Sequence, residues 1–133
     1  MNMNSVKKIL SIVFLLFIGV NFSCSDDDEM SRAQEADILQ EMLSEIEDLA
    51  DSKDCEDASE WTFTAYGSKA CGGPIGYIAY STNIDTESFL NQVEEHRIAQ
   101  EEFNEKWGII SDCSVPQEPE DVICEDGEVV LVY

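Results

Sequence analysis

Five cysteines limit how this 133-residue chain can fold. Four of them lie in the polar part of the chain, at spacings of 16, 42 and 11 residues: Cys55, Cys71, Cys113 and Cys124. These spacings are too wide for the paired thiolates of a zinc site, and no pair has the Cys-x-x-Cys arrangement of a thioredoxin-like motif. In a small exported domain, an even number of cysteines is typical of disulfides. We therefore predict two disulfides, for which three connectivities are open.

The N-terminus has the features of an export signal. Lys7 and Lys8 precede an apolar stretch of 12 residues, from Ile9 to Val20. A helix that spans a bilayer needs about 20 apolar residues, whereas 12 residues fit the h-region of a signal peptide. The alternative is an uncleaved membrane anchor. We predict that residues 1–23 form a signal peptide and are removed.

Cys24 comes directly after Ser23 at the end of the apolar stretch and resembles the lipidated cysteine of bacterial lipoproteins. Asn21 stands where such proteins usually have leucine, and the Ser-Cys ending is similar to the relaxed lipoboxes of Bacteroidota. The resemblance implies cleavage before Cys24 and acylation of this residue. Each buried CH₂ of an acyl chain contributes about 0.8 kcal/mol, so several chains would anchor the protein stably in a membrane.

Four consecutive acidic residues follow Cys24 almost at once: Asp26, Asp27, Asp28 and Glu29. The run resembles the acidic export signal that directs Bacteroidota lipoproteins to the outer face of the outer membrane. It also suits a solvated tether, and it lacks the spacing of a calcium-binding loop. We expect residues 24–31 to form an acidic tether, and we expect the protein to be lipid-anchored in the cell envelope, facing outward.

The charge balance narrows the range of partners. The chain has 29 acidic and 7 basic residues, and loss of residues 1–23 would change its formal net charge from −22 to −24. Nucleic acids and anionic membrane surfaces repel such a polyanion. The expected partners are therefore a membrane, through lipid on Cys24, and an unknown protein or envelope component. A single histidine excludes His-rich metal sites, and we predict neither a metal nor a cofactor.

Hydrophobic periodicity predicts a first helix over residues 32–50. Ser31 and Gln34 fit a capping box at its start. A stripe of apolar side chains recurs at helical spacing and is expected to face the core, with a partner-binding face as the alternative: Leu39, Met42, Leu43, Ile46, Leu49 and Ala50.

For the rest of the domain, the sequence pattern predicts two strands, a helix and two further strands, in that order. Alternation predicts a half-buried strand over 61–66 and a second strand over 75–81. Asp85 as N-cap and Gly108 as terminator delimit a helix over 86–107. Apolar runs on both sides of Asp126-Gly127 predict a hairpin. We therefore predict that residues 32–133 form a small α+β domain with two helices on one face of an antiparallel sheet.

The second helix carries its own apolar stripe, and Ile109 and Ile110 after its end are expected to enter the core. The stripe runs from Phe89 to Trp107 and includes His96. A histidine on such a stripe is more typical of core packing than of catalysis. The thiols that would partner it are expected to be oxidised, and the chain has no Gly-x-Ser-x-Gly elbow.

The predicted elements favour one disulfide connectivity. The strand over 75–81 leads away from Cys71, and a helix of 22 residues, about 33 Å long, returns Cys113 to the same end. Cys55 and Cys71 lie at opposite ends of the strand between them, which disfavours their pairing. We predict the disulfides Cys71–Cys113 and Cys55–Cys124.

Four short segments of the second half of the chain form a specific motif string. They are a Lys-Ala-Cys-Gly-Gly-Pro segment, a Tyr-Ser strand end, a Gly-x-x-Ser-Asp-Cys segment after a long helix, and a later cysteine before a hairpin: Lys69–Pro74, Tyr80-Ser81, Gly108–Cys113 and Cys124–Gly127. With these motifs, residues 53–133 resemble a set of short, uncharacterised exported lipoproteins that are frequent in Bacteroidota. The resemblance implies an architecture and an export route, and no activity.

These observations favour a non-enzymatic interaction module over two other classes. One alternative is a small exported protease inhibitor that presents the loop over residues 70–76, within which Cys71, Gly72, Gly73 and Pro74 form a possible interaction loop. Its glycines suggest a tight backbone path that a Cβ atom would obstruct. The third alternative is an enzyme of unknown type. It ranks last because neighbouring carboxylates, which could act as a catalytic pair, are abundant by chance alone in so acidic a chain.

Overall fold

The computed structural model describes residues 29–133, and within this range the fold is α+β, as predicted. Neither helix of this range is both long enough and apolar enough to cross a membrane. The elements, in chain order, are α1 (Arg32–Ala50), a short 3₁₀ helix (Ala58–Glu60), β1 (Trp61–Tyr66), β2 (Gly76–Ser81), α2 (Thr86–Trp107), β3 (Asp121–Glu125) and β4 (Glu128–Val132).

Both helices begin at the caps that the sequence predicts. At α1, the Ser31 hydroxyl accepts a hydrogen bond from the Gln34 backbone N–H (3.3 Å), and the Gln34 side chain accepts one from the Ser31 N–H (2.9 Å). At α2, the Asp85 carboxylate accepts from the Ser88 N–H at 3.0 Å. Gly108 ends α2 in the left-handed conformation, with φ 58°. The caps satisfy backbone groups that have no partner within a helix, which fixes the helix ends.

The four strands form two separate antiparallel hairpins. In the first, β1 pairs with β2 from Trp61 opposite Ser81 to Tyr66 opposite Gly76. In the second, β3 pairs with β4 around a two-residue turn in which Asp126 and Gly127 both have positive φ, at 52° and 89°. Two positive φ values are the signature of a type I′ hairpin turn, which explains the Asp-Gly pair.

The β1–β2 hairpin lies between the helices and the β3–β4 hairpin. On the helical side, Tyr80 of β2 packs with Phe89 of α2 at a ring distance of 4.6 Å, in one buried cluster with Ile46. On the other side, Trp61 and Ala79 form a second cluster with residues of the β3–β4 hairpin. Successive residues of a strand point to opposite faces, so Ala79 and Tyr80 serve different clusters. Both faces of the first hairpin are therefore covered, not only the face toward the helices.

Candidate functional site

Both disulfides pair as predicted. Cys55 and Cys124, whose Cα atoms lie 5.3 Å apart, join the segment before β1 to β3. Cys55 is buried in the second cluster, and its N–H donates to the Gly127 carbonyl at 2.7 Å. This disulfide therefore fastens the β3–β4 hairpin to the rest of the domain.

The second disulfide joins two loop segments at the surface of the domain. Cys71 and Cys113, with Cα atoms 5.5 Å apart, join the loop between β1 and β2 to the segment that follows α2. Both cysteines are exposed. We call residues 109–115 the pinned loop, since Cys113 ties this segment of irregular structure to the loop that carries Cys71.

Lys69 fastens the pinned loop a second time. Its Nζ donates to the Asp112 carboxylate at 2.6 Å and to the Ser114 carbonyl at 2.7 Å. The Ser114 hydroxyl donates to the other Asp112 oxygen at 2.7 Å. The Lys69 and Ser114 hydrogen bonds hold the pKa of Asp112 below its usual range. Because the Lys69 side chain is only 15% exposed, its ammonium bridges the two loops from beneath the surface.

Two amide side chains of α2 hold the start of the Cys71 loop. The Gln100 carbonyl oxygen accepts from the Ser68 N–H at 3.1 Å, and the Asn104 amide donates to the Ser68 carbonyl at 2.8 Å. Gln100 and Asn104 are four residues apart and thus lie on one face of the helix. The spacing of the two amide residues was the signal that could have indicated this contact with the Cys71 loop, and the sequence analysis did not identify it.

The glycines of the possible interaction loop occupy open space, contrary to our expectation. A Cβ atom on Gly72 or Gly73 would meet no heavy atom within 4 Å. Their positive φ values, 88° and 81°, are the actual reason for glycine. The turn is closed by hydrogen bonds from the Gly72 N–H to the Lys69 carbonyl (2.8 Å) and from the Lys69 N–H to the Gly73 carbonyl (2.9 Å).

The expectation that Ile110 enters the core is wrong, because its side chain is 94% exposed. Ile109 is half-buried and lines a cavity of about 140 Å³ beside Asn104. Alternate residues of an extended chain point to opposite sides. After Gly108, Ile109 and Ser111 therefore turn inward, whereas Ile110 and Asp112 turn outward. Val115 is also strongly exposed, at 77%.

His96 lies on the buried face of α2, as predicted, and is 2% exposed. Burial lowers its pKa, and a backbone hydrogen bond with Leu39 acts in the opposite direction. Its Nδ1 has no hydrogen-bond partner among the described residues. The four cysteines of the described range are all paired in disulfides.

The predicted anchor residues lie mostly outside the described residues. These are the signal peptide over residues 1–23, Cys24, Asp26, Asp27 and Asp28. Glu29 is exposed and stands just before α1. The first turn of α1 is fixed to the end of α2, where Glu35 accepts from Lys106 Nζ at 2.6 Å and from Trp107 Nε1 at 2.7 Å. These bonds lower the pKa of Glu35.

Within residues 29–133, no three His, Cys, Asp or Glu side chains are arranged to hold a metal ion. Neither a protein-family model, nor a curated protein, nor a solved structure matches the chain.

Proposed function

We propose that this protein is a lipid-anchored envelope lipoprotein that faces outward and binds a protein or envelope partner without catalysing a reaction. The pinned loop is the binding surface. The observation that carries this proposal is the 94% exposure of Ile110 on a loop held by a disulfide.

An exposed isoleucine on a fixed loop is well suited to binding. Complete burial of such a side chain is worth about 1.5–3 kcal/mol. The Cys71–Cys113 disulfide and Lys69 hold the pinned loop in place, so little conformational entropy remains to be lost when a partner binds. Val115 extends the apolar surface beyond Cys113.

The surroundings of Ile110 indicate the chemistry of the partner. Asp112 is 75% exposed, and Glu101 and Glu105 line the cavity beside the Cys71 loop. A complementary surface would have an apolar pocket for Ile110 and basic groups at its rim, since opposite potentials favour encounter and register.

The anchor would keep this surface close to the membrane. An extended chain spans at most about 3.5 Å per residue, so the stretch from Cys24 to Arg32 reaches at most about 28 Å. With acyl chains on Cys24, the domain would act within that distance of the bilayer.

The anchor is tested by growing cells with radiolabelled palmitate. We expect label on the native chain and on a Ser25→Ala control, and none on Cys24→Ala, because the thiol is the site of acylation. Label on the Cys24→Ala chain, or an unmodified full-length N-terminus on the native chain, would contradict the proposal.

The binding surface is tested by replacing Ile110 with serine and comparing the complexes that the protein forms on intact cells. The matched control is Ile98→Ser on α2, where the isoleucine is 42% exposed and far less prominent. We expect Ile110→Ser to weaken the complex at least tenfold, which corresponds to about 1.4 kcal/mol, and Ile98→Ser to leave it intact. Equal loss in both variants would argue against the pinned loop.

Protease inhibition is the second candidate function. The exposure of Ile110 favours an inhibitor that presents Ile110 to the protease instead of the loop over residues 70–76. The loop over residues 70–76 offers mainly glycine at its exposed turn, whereas Ile110 would supply a side chain for the specificity pocket of a protease. An inhibitor of this kind should act on proteases with a small aliphatic pocket, and Ile110→Gly should abolish inhibition. No inhibition across serine and cysteine proteases at micromolar protein would eliminate this candidate.

A further inference from the structure

The two disulfides of the domain differ in their exposure to solvent. Cys71 and Cys113 are both exposed, whereas Cys55 is 3% exposed and Cys124 is half-buried. Cys55 and Cys124 also pack in the same core cluster as Trp61. In thiol–disulfide exchange a thiolate must reach one of the two sulfur atoms, so access affects the rate. A thiol in solution should therefore react with Cys71–Cys113 before it reacts with Cys55–Cys124.

The chain around Cys71 places little in the path of such a thiol. Ala70 precedes it, and Gly72 and Gly73 follow it, so the adjacent side chains are no larger than a methyl group. All three residues are exposed. A Cβ atom on either glycine would meet no heavy atom within 4 Å outside the adjacent residues, so the space beside this turn is open.

The rest of the domain stays connected when this disulfide is broken. Neither of its cysteines belongs to a core cluster. Two amide side chains of α2 still hold the start of the Cys71 loop, and Lys69 still binds the pinned loop at Asp112. The Cys55–Cys124 disulfide also remains and keeps the β3–β4 hairpin attached. We therefore expect the form in which only Cys71–Cys113 is reduced to be folded.

Charged groups beside the exposed disulfide favour some thiols over others. Glu101 and Glu105 line the same cavity as the two residues on either side of Cys71. Two basic side chains of this region are each paired with an acid: Lys69 with Asp112 at 2.6 Å and Arg97 with Glu101 at 2.9 Å. The charge of Glu105 adds to the formal net charge of −22. Such a surface repels an anionic thiol and attracts a cationic one.

We infer that Cys71–Cys113 is a site of thiol–disulfide exchange with a neutral or cationic dithiol, and that Cys55–Cys124 is a permanent disulfide. One thiolate of the dithiol bonds to one sulfur of the exposed pair, the bond between Cys71 and Cys113 breaks, and the other cysteine leaves as a thiolate. The second thiolate of the dithiol then displaces the first cysteine and closes a disulfide within the reductant. Two electrons and two protons pass from the dithiol to the two cysteines. The inference requires neither the lipid anchor nor a partner at the pinned loop, so it is tested separately from the proposed function.

The test uses dithiothreitol, a neutral dithiol, on the folded, disulfide-bonded protein without denaturant. Free thiols are blocked with iodoacetamide at successive times, and the labelled cysteines are mapped by mass spectrometry while tryptophan fluorescence reports the fold. We expect Cys71 and Cys113 to be labelled at least about tenfold faster than Cys55 and Cys124, because attack on the buried pair must wait for local opening of the core. The native fluorescence should persist in the doubly labelled form. Labelling of all four cysteines in parallel, loss of the native fluorescence as the first label appears, or no labelling short of unfolding would overturn the inference.

The charge of the reductant is tested with cysteamine, which is cationic, and mercaptoethanesulfonate, which is anionic. Rates of mixed-disulfide formation at Cys71 or Cys113 are compared per thiolate present. We expect cysteamine to react at least about tenfold faster at low ionic strength. The difference should shrink in about 1 M salt, where the Debye length is about 3 Å. Equal rates at low salt, or a faster reaction of the anionic thiol, would contradict the assignment of a neutral or cationic reductant.

A pair of glutamate variants locates this charge effect. Glu105→Gln removes a charge at the cavity beside the Cys71 loop and should reduce the preference for cysteamine by about threefold. Glu87→Gln makes the same change in net charge at an exposed position of α2 that lies 18 residues away, about 27 Å along the helix, and should react as the native chain does. An equal effect of both substitutions would show that the net charge of the protein, and not the surroundings of Cys71–Cys113, selects the thiol.

Discussion

Glycines with the same sign of φ occupy very different surroundings in this domain. Gly67 and Gly73 have φ values of 71° and 81°, so glycine is favoured at both. A Cβ on Gly67 would lie 2.8 Å from Ile75 Cδ1 and 2.9 Å from Gln100 Oε1, whereas a Cβ on Gly73 would meet nothing within 4 Å. Backbone conformation and steric crowding are thus separable in one protein.

Alanine substitution should separate the two effects. Gly73→Ala should lower the free energy of unfolding by about 1 kcal/mol, the cost of a side chain at positive φ. Gly67→Ala should cost about 2–4 kcal/mol, since it adds crowding against Gln100, whose oxygen is fixed by the Ser68 N–H. Denaturant unfolding measures both values. Equal losses would show that the crowding at Gly67 relaxes freely.

His96 should make stability depend on pH. Its pKa is lowered in the folded state, so below the unfolded-state value of about 6.5 the unfolded chain binds a proton that the folded chain does not. The free energy of unfolding should therefore fall as pH drops from 7.5 to 5.5, by at most about 1.4 kcal/mol per pH unit.

His96→Phe provides the control for this pH dependence, because all carboxylates remain in both proteins. As the pH falls from 7.5 to 5.5, the free energy of unfolding of the native chain should decrease more than that of the variant. A difference that is constant between pH 7.5 and 5.5 would mean that His96 titrates alike in the folded and unfolded states.

At the scale of single residues, sequence reasoning succeeded where the cause was local and failed where it was not. The burial of His96 followed from its place on a helical stripe. The exposure of Ile110 depends on how the chain leaves Gly108 and is tied back at Cys113, which hydropathy alone does not reveal.

At the scale of elements, the helix bounds were predictable because each end is marked by a cap. Both helices span the predicted residues, Arg32–Ala50 and Thr86–Trp107. The packing of the two hairpins against each other was not predictable in the same way. Turn residues specify hairpin partners locally, whereas the contact between β1 and β3 is made by side chains distant in sequence.

The cap of α1 gives a prediction at this scale. Ser31→Ala should lower the free energy of unfolding by about 1 kcal/mol, because it removes the acceptor for the Gln34 N–H. Ser44→Ala, at an exposed position in the middle of the same helix, should leave stability unchanged or raise it by a few tenths of a kcal/mol. Thermal or denaturant unfolding of both variants tests this, and a loss at position 44 as large as that at 31 would argue against the cap.

At the scale of the whole domain, two small core clusters of the described residues lie on either side of the β1–β2 hairpin. The Cys55–Cys124 disulfide reinforces the second cluster, to which Cys55 belongs, whereas Cys71–Cys113 holds the pinned loop, which belongs to neither cluster. The sequence separations are 69 residues for Cys55–Cys124 and 42 for Cys71–Cys113. In the chain-entropy model each disulfide contributes about 4 kcal/mol. A single domain has about 5–15 kcal/mol in total, so either disulfide is a large fraction of the stability.

The two disulfides should differ in function although they are similar in stabilisation. Replacing both Cys71 and Cys113 by serine should lower the free energy of unfolding by about 4 kcal/mol and should also release the pinned loop, so partner binding weakens even under conditions where the domain is folded. Replacing Cys55 and Cys124 should cost a similar free energy with the pinned loop still held. Unfolding curves and binding to intact cells measure both effects, and equal binding by the two folded variants would contradict this division.

Photo-crosslinking on intact cells tests the pinned loop most directly. A photoreactive amino acid is placed at position 110, at position 115 and, as a control, at position 98 on α2. We predict one discrete crosslinked species shared by positions 110 and 115 and absent at position 98. The same species at all three positions, or a species formed only from position 98, would contradict the assignment of the partner to the pinned loop.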